Sequence, residues 1–405
     1  MGGCCIRSSS NKSLLLDMST LKLNNIFNQT SLIAAILYSI VATAGLFYVN
    51  LGGAFLSAFV DGLGVERDVA GFIVSSNKYG AAFGALLATF VVKKLEWRPT
   101  LRKLFFLLII VDLISTQIQN PQLLILLRFL HGTIGGLSVG FGLSLIARTY
   151  NPDKIFGMLL VVQYSFGSIG IWAVPRMVDT FGYAAVFGAL ISFTLMTLLI
   201  LPLVPNVKNS PEKDRLQNIF FIPLDKFLFF ALATLFLFQA SNMGVADYAF
   251  ELGKDIGLKN TEISNILTIA NIISISGGAL VYLIGTKFGR TIPLVIGITI
   301  SAIFTFLLHY SENITIYFIA NSVTGIAWGF TIPYILGLCA SFDKYGQMAA
   351  LAGFVSKMGL ATGPLIGSLF IIDYGIDFII NVAVLSLIFA MFASWYSSKK
   401  GINNE

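Results

Sequence analysis

The stretch FIVSSNKYGAAFGALLATFVV, residues 72–92, is apolar or small throughout except for SSNK near its start. About 20 such residues cross the hydrocarbon core of a bilayer. The stretch therefore reads as a membrane span, and it places the ammonium group of Lys78 well inside it. At helical rise, ten residues of entry put that group about 15 Å deep, near the midplane.

The rest of the chain has the same character. Of 405 residues, 56% are hydrophobic and 11% charged, with a mean hydropathy of +0.83. A soluble domain carries about 25% charged residues. The composition dictates a polytopic α-helical membrane protein, whose backbone polar groups are satisfied within the fold. Candidate spans fall at 31–58, 68–92, 103–119, 121–147, 155–178, 181–204, 226–250, 262–285, 291–309, 314–341, 347–370 and 374–397. The turns between them are short, with one exception. PNVKNSPEKDRLQNIFFIPLD (205–225) is a charged linker with three prolines. The expected fold class is an all-α membrane protein with twelve transmembrane helices in two six-helix halves. The expected units are a leader (1–30), a bundle (31–204), the linker (205–225), a second bundle (226–397) and a tail (398–405).

Lys and Arg in the loops set orientation. Nineteen of the 26 lie on the side of the leader, linker and tail, and four (Arg67, Arg176, Lys254, Lys259) lie on the other side. Both termini are therefore expected in the cytoplasm, in an integral plasma (inner) membrane protein. This topology accounts for the net charge of +6 better than a nucleic-acid partner does. MGGCC (1–5) hints at acylation, but Ile6 stands where the myristoylation pattern wants Ser or Thr. No apolar run with a small-residue cleavage site precedes residue 30, so a cleaved signal peptide is not expected; Met18 is an alternative start.

Enzyme classes find no foothold. The sequence has no Walker loop, HExxH or GxSxG, and three cysteines (Cys4, Cys5, Cys339) supply neither a disulfide framework nor metal-ligand spacing. No cofactor and no metal are expected.

The remaining three basic residues, Lys78, Arg128 and Lys357, fall inside spans. A charge at the bilayer centre costs roughly 2.5–3.5 kcal/mol on insertion scales, so such residues face protein or water and are usually functional. Lys78 shares a helix face with Gly71, Ser75, Ala82 and Ala85, while bulky Ile73, Phe83 and Leu87 point elsewhere. Asn77 adds a neighbouring amide. Lys357 lies at a similar depth and shares its face with Ala350, Gly353, Ala361 and Pro364. Asp112 and Arg128 stand eight residues either side of Asn120, the centre of a helical hairpin. That spacing sets them at one depth, about 12 Å in, as a salt bridge. His131 follows Arg128 by three residues on the same face. Asp, Arg and His together suit proton relay, because His titrates near neutrality.

Structural alternatives stay open for each. Asp112–Arg128 as a static pair, His131 on a backbone carbonyl, Lys78 snorkelling or paired with Asp247, and Lys357 satisfied by carbonyls near Pro364 all fit the sequence. The glycine rows Gly80/Gly84, Gly132/Gly136/Gly140 and Gly359/Gly363/Gly367 read as helix-packing surfaces. Further polar and aromatic groups suit an orienting shell for a small ligand. They are Tyr48, Asn50, Gln163, Tyr164, Gln239, Asn242, Asn271, Asn321, Trp328 and Tyr334.

The motifs resemble those of the major facilitator superfamily, over residues 30–397. IGTKFGR (284–290) is similar to the superfamily's Gly-rich basic turn between helices 8 and 9, with Lys287, Gly289 and Arg290 as its gating residues. The copy between helices 2 and 3, VVKKLEWRP (91–99), is eroded: Lys93 replaces the usual Asp and Glu96 the usual Gly. LILLRFLHG (124–132) matches the helix 4 pattern with His131 in place of Gln, and GLATGPLIGS (359–368) looks like the Gly-Pro motif of antiporters, displaced to helix 11. Helix 5 holds only FGSIG (166–170), without proline. The resemblance implies secondary transport by alternating access, with the solute near the midplane between the halves. It also implies a monomer, with protons as coupling ion and helices 2 and 11 meeting at the seam. Lys78 and Lys357 would then look into one cavity, and an anionic solute would supply their counterion. The expected function is transport of a small organic anion. The rivals are proton-driven efflux of drugs or metabolites and, in another class, a transport-silent sensor. The eroded turn between helices 2 and 3 should weaken the cytoplasmic latch.

Overall fold

Asparagine, serine and proline set where several helices begin. Asn120 accepts a hydrogen bond from Leu123 N–H, and Pro121 follows where no N–H is needed. Asn313 and Ser31 cap two further helices in the same way. The structure is a computed structural model. It describes residues 31–50, 59, 62–65, 67–207, 225–246, 249, 252–253, 256–258, 260–342 and 346–402. The leader, most of the linker, Asp247 and residues 403–405 lie outside the described residues.

The helices before the linker are α1 (Leu32–Ala44), α2 (Arg67–Val91), α3 (Trp97–Ser115), α4 (Pro121–Ala147), α5 (Pro152–Phe181) and α6 (Ala184–Ile200). A short helical turn, Phe47–Asn50, follows α1. After the linker come α7 (Lys226–Ala246), α8 (Asn260–Ile284), α9 (Thr291–Phe306) and α10 (Ile314–Ala340). The last helical run, Gln347–Ile402, is interrupted at Gly375, where φ is 71° and ψ 179°. Glycine adopts that conformation without steric cost. The run thus forms α11 (347–374) and α12 (376–402), joined by one residue. Seven helices among the described residues are long and apolar enough to cross a membrane. Large apolar side chains lie on the outside: Leu199, Leu283 and Phe389 are each about two-thirds exposed or more. A surface so apolar suits a lipid solvent rather than water.

Two boundaries differ from the sequence reading. α3 starts at Trp97 instead of residue 103, so Arg98, Arg102 and Lys103 stand on its first turns and not in a loop. The Arg98 guanidinium donates to the Val204 carbonyl, and it lies over the Trp97 ring at 4.7 Å, which anchors that early start. α1 ends at Ala44, where Gly45 packs against α4.

Glycine governs the packing. A Cβ on Gly80 would lie 2.1 Å from the Phe129 carbonyl, and one on Gly84 1.9 Å from that of Thr133. From α4, Gly132 and Gly136 face the carbonyls of Asn77 and Ala81 at 2.1 and 2.0 Å. α2 and α4 therefore pack backbone to backbone. Gly363 of α11 meets the Ala240 carbonyl of α7 at 2.1 Å in the same sense.

The helices before and after the linker are closed against each other on the linker side. Asp153, in the first turn of α5, accepts two hydrogen bonds of 2.9 Å from Arg290, the N-cap of α9. Gly157 and Gly278 bring α5 and α8 into backbone contact. Ala88, Gly140 and Ala350 meet where α2, α4 and α11 converge.

Candidate functional site

A cavity of about 790 Å³ lies between the two sets of helices, in the size range of small-molecule sites. It stops at the closed linker side. At the opposite side it reaches Ala249, Leu267, Thr305 and Leu308, near the far ends of α7, α8 and α9. Gln163, Tyr164, Gln239, Asn242, Asn271, Asn321, Trp328 and Lys357 all line it. Lys357 is the sole charged group among its described lining residues, and no carboxylate joins it.

The polar lining is partly fixed and partly free. Gln239 bridges two helices: its amide nitrogen donates to Ser356 Oγ at 2.7 Å, and its carbonyl oxygen accepts from Trp328 Nε1 at 2.7 Å. Trp328 stands edge-on to Tyr164, with ring centroids 5.8 Å apart. These contacts hold an aromatic wall in one orientation. Asn242 spends both ends of its amide, donating to Phe238 O and accepting from Ser301 Oγ. Asn321 donates to Tyr317 O and keeps its own oxygen for the cavity. Asn271 lines the cavity with no hydrogen bond among the described residues. Lys357 is 5% exposed and makes neither ion pair nor hydrogen bond there; its Nζ lies 5.9 Å from the Tyr48 ring centroid.

The second feature is a buried charged cluster on α2, α3 and α4. Arg128 Nη1 donates to Asp112 Oδ1 at 2.9 Å and Nη2 to Ser115 Oγ at 2.5 Å. The Arg128 guanidinium stacks on Phe187 at 4.7 Å. His131 Nε2 sits 3.3 Å from Asp112 Oδ2, and Asn77 Nδ2 donates to His131 Nδ1 at 2.9 Å. In this arrangement Nδ1 is an acceptor, so the ring proton is on Nε2, facing Asp112. The ion pair expected between Asp112 and Arg128 is present, and His131 is tied to Asp112 and Asn77 instead of to a backbone carbonyl.

Several expectations need correction. Lys78 does not share the cavity of Lys357. It lines a separate small void with Tyr48, Asn77 and Arg128. Asn77 is buried against His131 and lines that void, not the large cavity. Tyr48 stands between the two lysines. Ile73 points inward: it is fully buried and borders the same void. Tyr334 is not a cavity residue, since its hydroxyl donates to the Gly285 carbonyl at 2.7 Å and closes the end of α8. The Asn50 and Pro364 side chains and Asp247 lie outside the described residues. Of the gating residues, Arg290 carries the pair to Asp153, Gly289 takes φ 65° in the turn, and Lys287 is exposed. Sequence reasoning missed Asp153, Ser356 and Thr324. Asp153 follows Pro152 at a helix start, a visible signal, whereas single hydroxyls in apolar helices are too common to stand out.

Comparison with known proteins adds to this geometry. A family model described as "Sugar (and other) transporter" matches residues 226–397. Two proteins of Candida albicans, described as high-affinity glucose transporters, are 33% identical over 108 residues. That alignment spans 26% of this chain and only 19% of those relatives' length. The proton:xylose symporter XylE, bound to 6-bromo-6-deoxy-D-glucose, is similar in structure with a TM-score of 0.71 at 16% identity, covering 90% of this chain and 94% of that one. The transporter FucP in the outward conformation gives 0.72 at 14% identity, covering 92% and 100%. The human organic anion transporter MFSD10 (TETRAN) gives 0.68 at 13% identity, covering 89% and 97%. The resemblance read from the motifs is thus borne out: the chain has the fold of the major facilitator superfamily, and its helices after the linker match a sugar (and other) transporter model.

Proposed function

We propose that this protein is a secondary active transporter that moves a small, hydroxyl-bearing organic anion by alternating access between two six-helix halves. The observation that carries the reading is the lining of the large cavity: Lys357 with no carboxylate among the described lining residues, beside the unengaged Asn271 amide, the Asn321 amide oxygen and a fixed tryptophan. The ammonium group suits a carboxylate or phosphate as a point charge. Asparagine and glutamine amides suit hydroxyl groups, and the indole offers a flat apolar face. The structural neighbours, a xylose symporter and an organic anion transporter, share the fold at 16% and 13% identity. Twelve crossings, cytoplasmic termini, the plasma (inner) membrane and a monomer complete the reading. We assign proton coupling to Asp112, Arg128 and His131, because that cluster joins a carboxylate to an imidazole away from the solute cavity. A neutral sugar is the second reading, favoured by the amide-rich lining and the family model. Drug efflux finds no support, since no described lining carboxylate would hold a cation.

The test is uptake into proteoliposomes with an imposed pH gradient, using glucuronate and gluconate beside glucose and xylose. Uptake of the acids, lost in Lys357→Met, is expected. Uptake of the neutral sugars alone, indifferent to Lys357→Met, would move the assignment to the second reading.

A further inference from the structure

Four polar side chains converge on the small void beside Lys78. Tyr48, Asn77, Lys78 and Arg128 line it, with Phe59, Ile73 and Val74. Its volume is about 10 Å³, enough for one water-sized species. Three buried polar atoms of these residues have no partner: Tyr48 Oη, Asn77 Oδ1 and Arg128 Nε. Their residues are only 4%, 3% and 2% exposed. Native interiors leave few such atoms unsatisfied, so three around one void call for an explanation. Two of them belong to donors, the phenol O–H and the guanidinium N–H, and the half-buried Lys78 makes no hydrogen bond or ion pair among the described residues. The charge count points the same way. Among the described residues of the cluster Lys78 and Arg128 are the cationic side chains and Asp112 is the one carboxylate, and Lys357 lies within electrostatic range of Lys78. Buried charge without compensation is costly, and convergent donors offer the compensating partner its place.

We propose that this void binds a monatomic anion of the chloride class, held by Lys78, Tyr48 Oη and Arg128 Nε, and that Asn77 links its occupancy to protonation of His131. The flexible stem of Lys78 lets the void widen from water size to ion size. Without the anion, Asn77 Nδ2 donates to His131 Nδ1 and Oδ1 is left unpartnered. An anion in the void repels that oxygen. Rotating the amide by half a turn gives Nδ2 to the anion and Oδ1 to His131. Nδ1 must then carry a proton, taken from solution, and both ring nitrogens donate: one to Asn77 Oδ1, the other to Asp112 Oδ2. The groups facing His131 are Asp112 from α3, Asn77 from α2, Tyr48 from the turn after α1, and Arg128 on its own helix. One anion and one proton enter together, and the total charge of the cluster is unchanged. The linkage half of the proposal rests on the reading of His131 as the proton site.

The experiment uses the full chain, purified in nanodiscs. Melting is followed in sodium chloride, bromide or fluoride against sodium methanesulfonate at equal ionic strength, at pH 5.5 and pH 8. A saturable rise in chloride is expected, with an apparent Kd at least fivefold tighter at pH 5.5. Lys78→Met should abolish the rise and the milder Tyr48→Phe should weaken it. Adding chloride to weakly buffered protein should take up a fraction of one proton per chain, and none in His131→Gln. Equal melting in chloride and methanesulfonate overturns the site, even where His131→Gln still removes pH-driven solute uptake and so upholds the transport reading. A chloride effect that ignores pH and takes up no proton overturns the linkage. Chloride-linked proton uptake in a protein whose solute uptake ignores the pH gradient upholds the site and overturns the transport coupling instead.

Discussion

Lys357→Met separates stability from binding, because the two should move in opposite directions. The side chain is 5% exposed, has no hydrogen bond or ion pair among the described residues, and rests only near the Tyr48 ring. A lysine at the centre of a membrane helix costs roughly 2.5–3.5 kcal/mol on insertion scales. The contact with the Tyr48 ring returns about 0.5–1 kcal/mol. The cavity beside Lys357 is large enough for water, whose solvation of the ammonium group would offset part of the remainder. Methionine keeps the length and removes the charge, so the empty protein should gain about 1–2 kcal/mol. Binding should lose a charge-assisted contact of about 1.5–3 kcal/mol. At 1.4 kcal/mol per decade, that weakens the anionic solute by about 10- to 150-fold. Both quantities come from one melting series with and without solute. A variant that melts lower than the parent, or that binds the solute unchanged, would refute the reasoning.

The other predictions concern the cluster, the packing and the latch. Asp112→Asn leaves Arg128 buried without its counterion and should cost about 3–5 kcal/mol, much of it regained in the double variant Asp112→Asn/Arg128→Met; additive losses in melting would show that the two residues act apart. Gly84→Ala drives a methyl group into the Thr133 carbonyl and should cost about 1–3 kcal/mol, whereas Gly188→Ala, with open space around its Cβ, should cost little; equal melting of the two would contradict the α2–α4 contact. Asp153→Asn weakens the bidentate pair to Arg290 and should favour opening on the linker side. In a Cys4→Ser/Cys5→Ser background, maleimide labelling of the buried Cys339 on α10 should then rise severalfold; labelling at the parent rate would deny that the pair holds the closed state.

Short-range geometry was legible in the sequence. Asn120 announced a helical hairpin, and equal counts either side of it paired Asp112 with Arg128, because adjacent antiparallel helices preserve depth. The glycine rows announced close contacts for a similar reason, since their spacing belongs to one helix face. What the sequence hid was the azimuth of each face after packing. Lys78 has the right depth to meet Lys357, yet it lies on the other side of Tyr48. Ile73 is buried on the row of Asn77, Gly80 and Gly84 that meets α4. Tyr334 carries a polar tip in an apolar helix, the pattern of a ligand contact, but its hydroxyl was needed by the Gly285 carbonyl. The pair of Asp153 with Arg290 spans 137 residues and two halves of the chain, beyond any local spacing rule.

The large cavity and the charged cluster draw on different parts of the chain. Most polar groups facing the cavity come from helices after the linker, with Gln163 and Tyr164 the main contributions from before it. Asp112, Arg128, His131 and Asn77 all precede the linker. For an engineer this makes the linker a natural recombination point. On the proposed transport reading, a chimera that exchanges α7 to α12 would inherit a new solute repertoire while keeping the ionisable cluster intact, and a library confined to those six helices could search for new cargo without first repairing the engine.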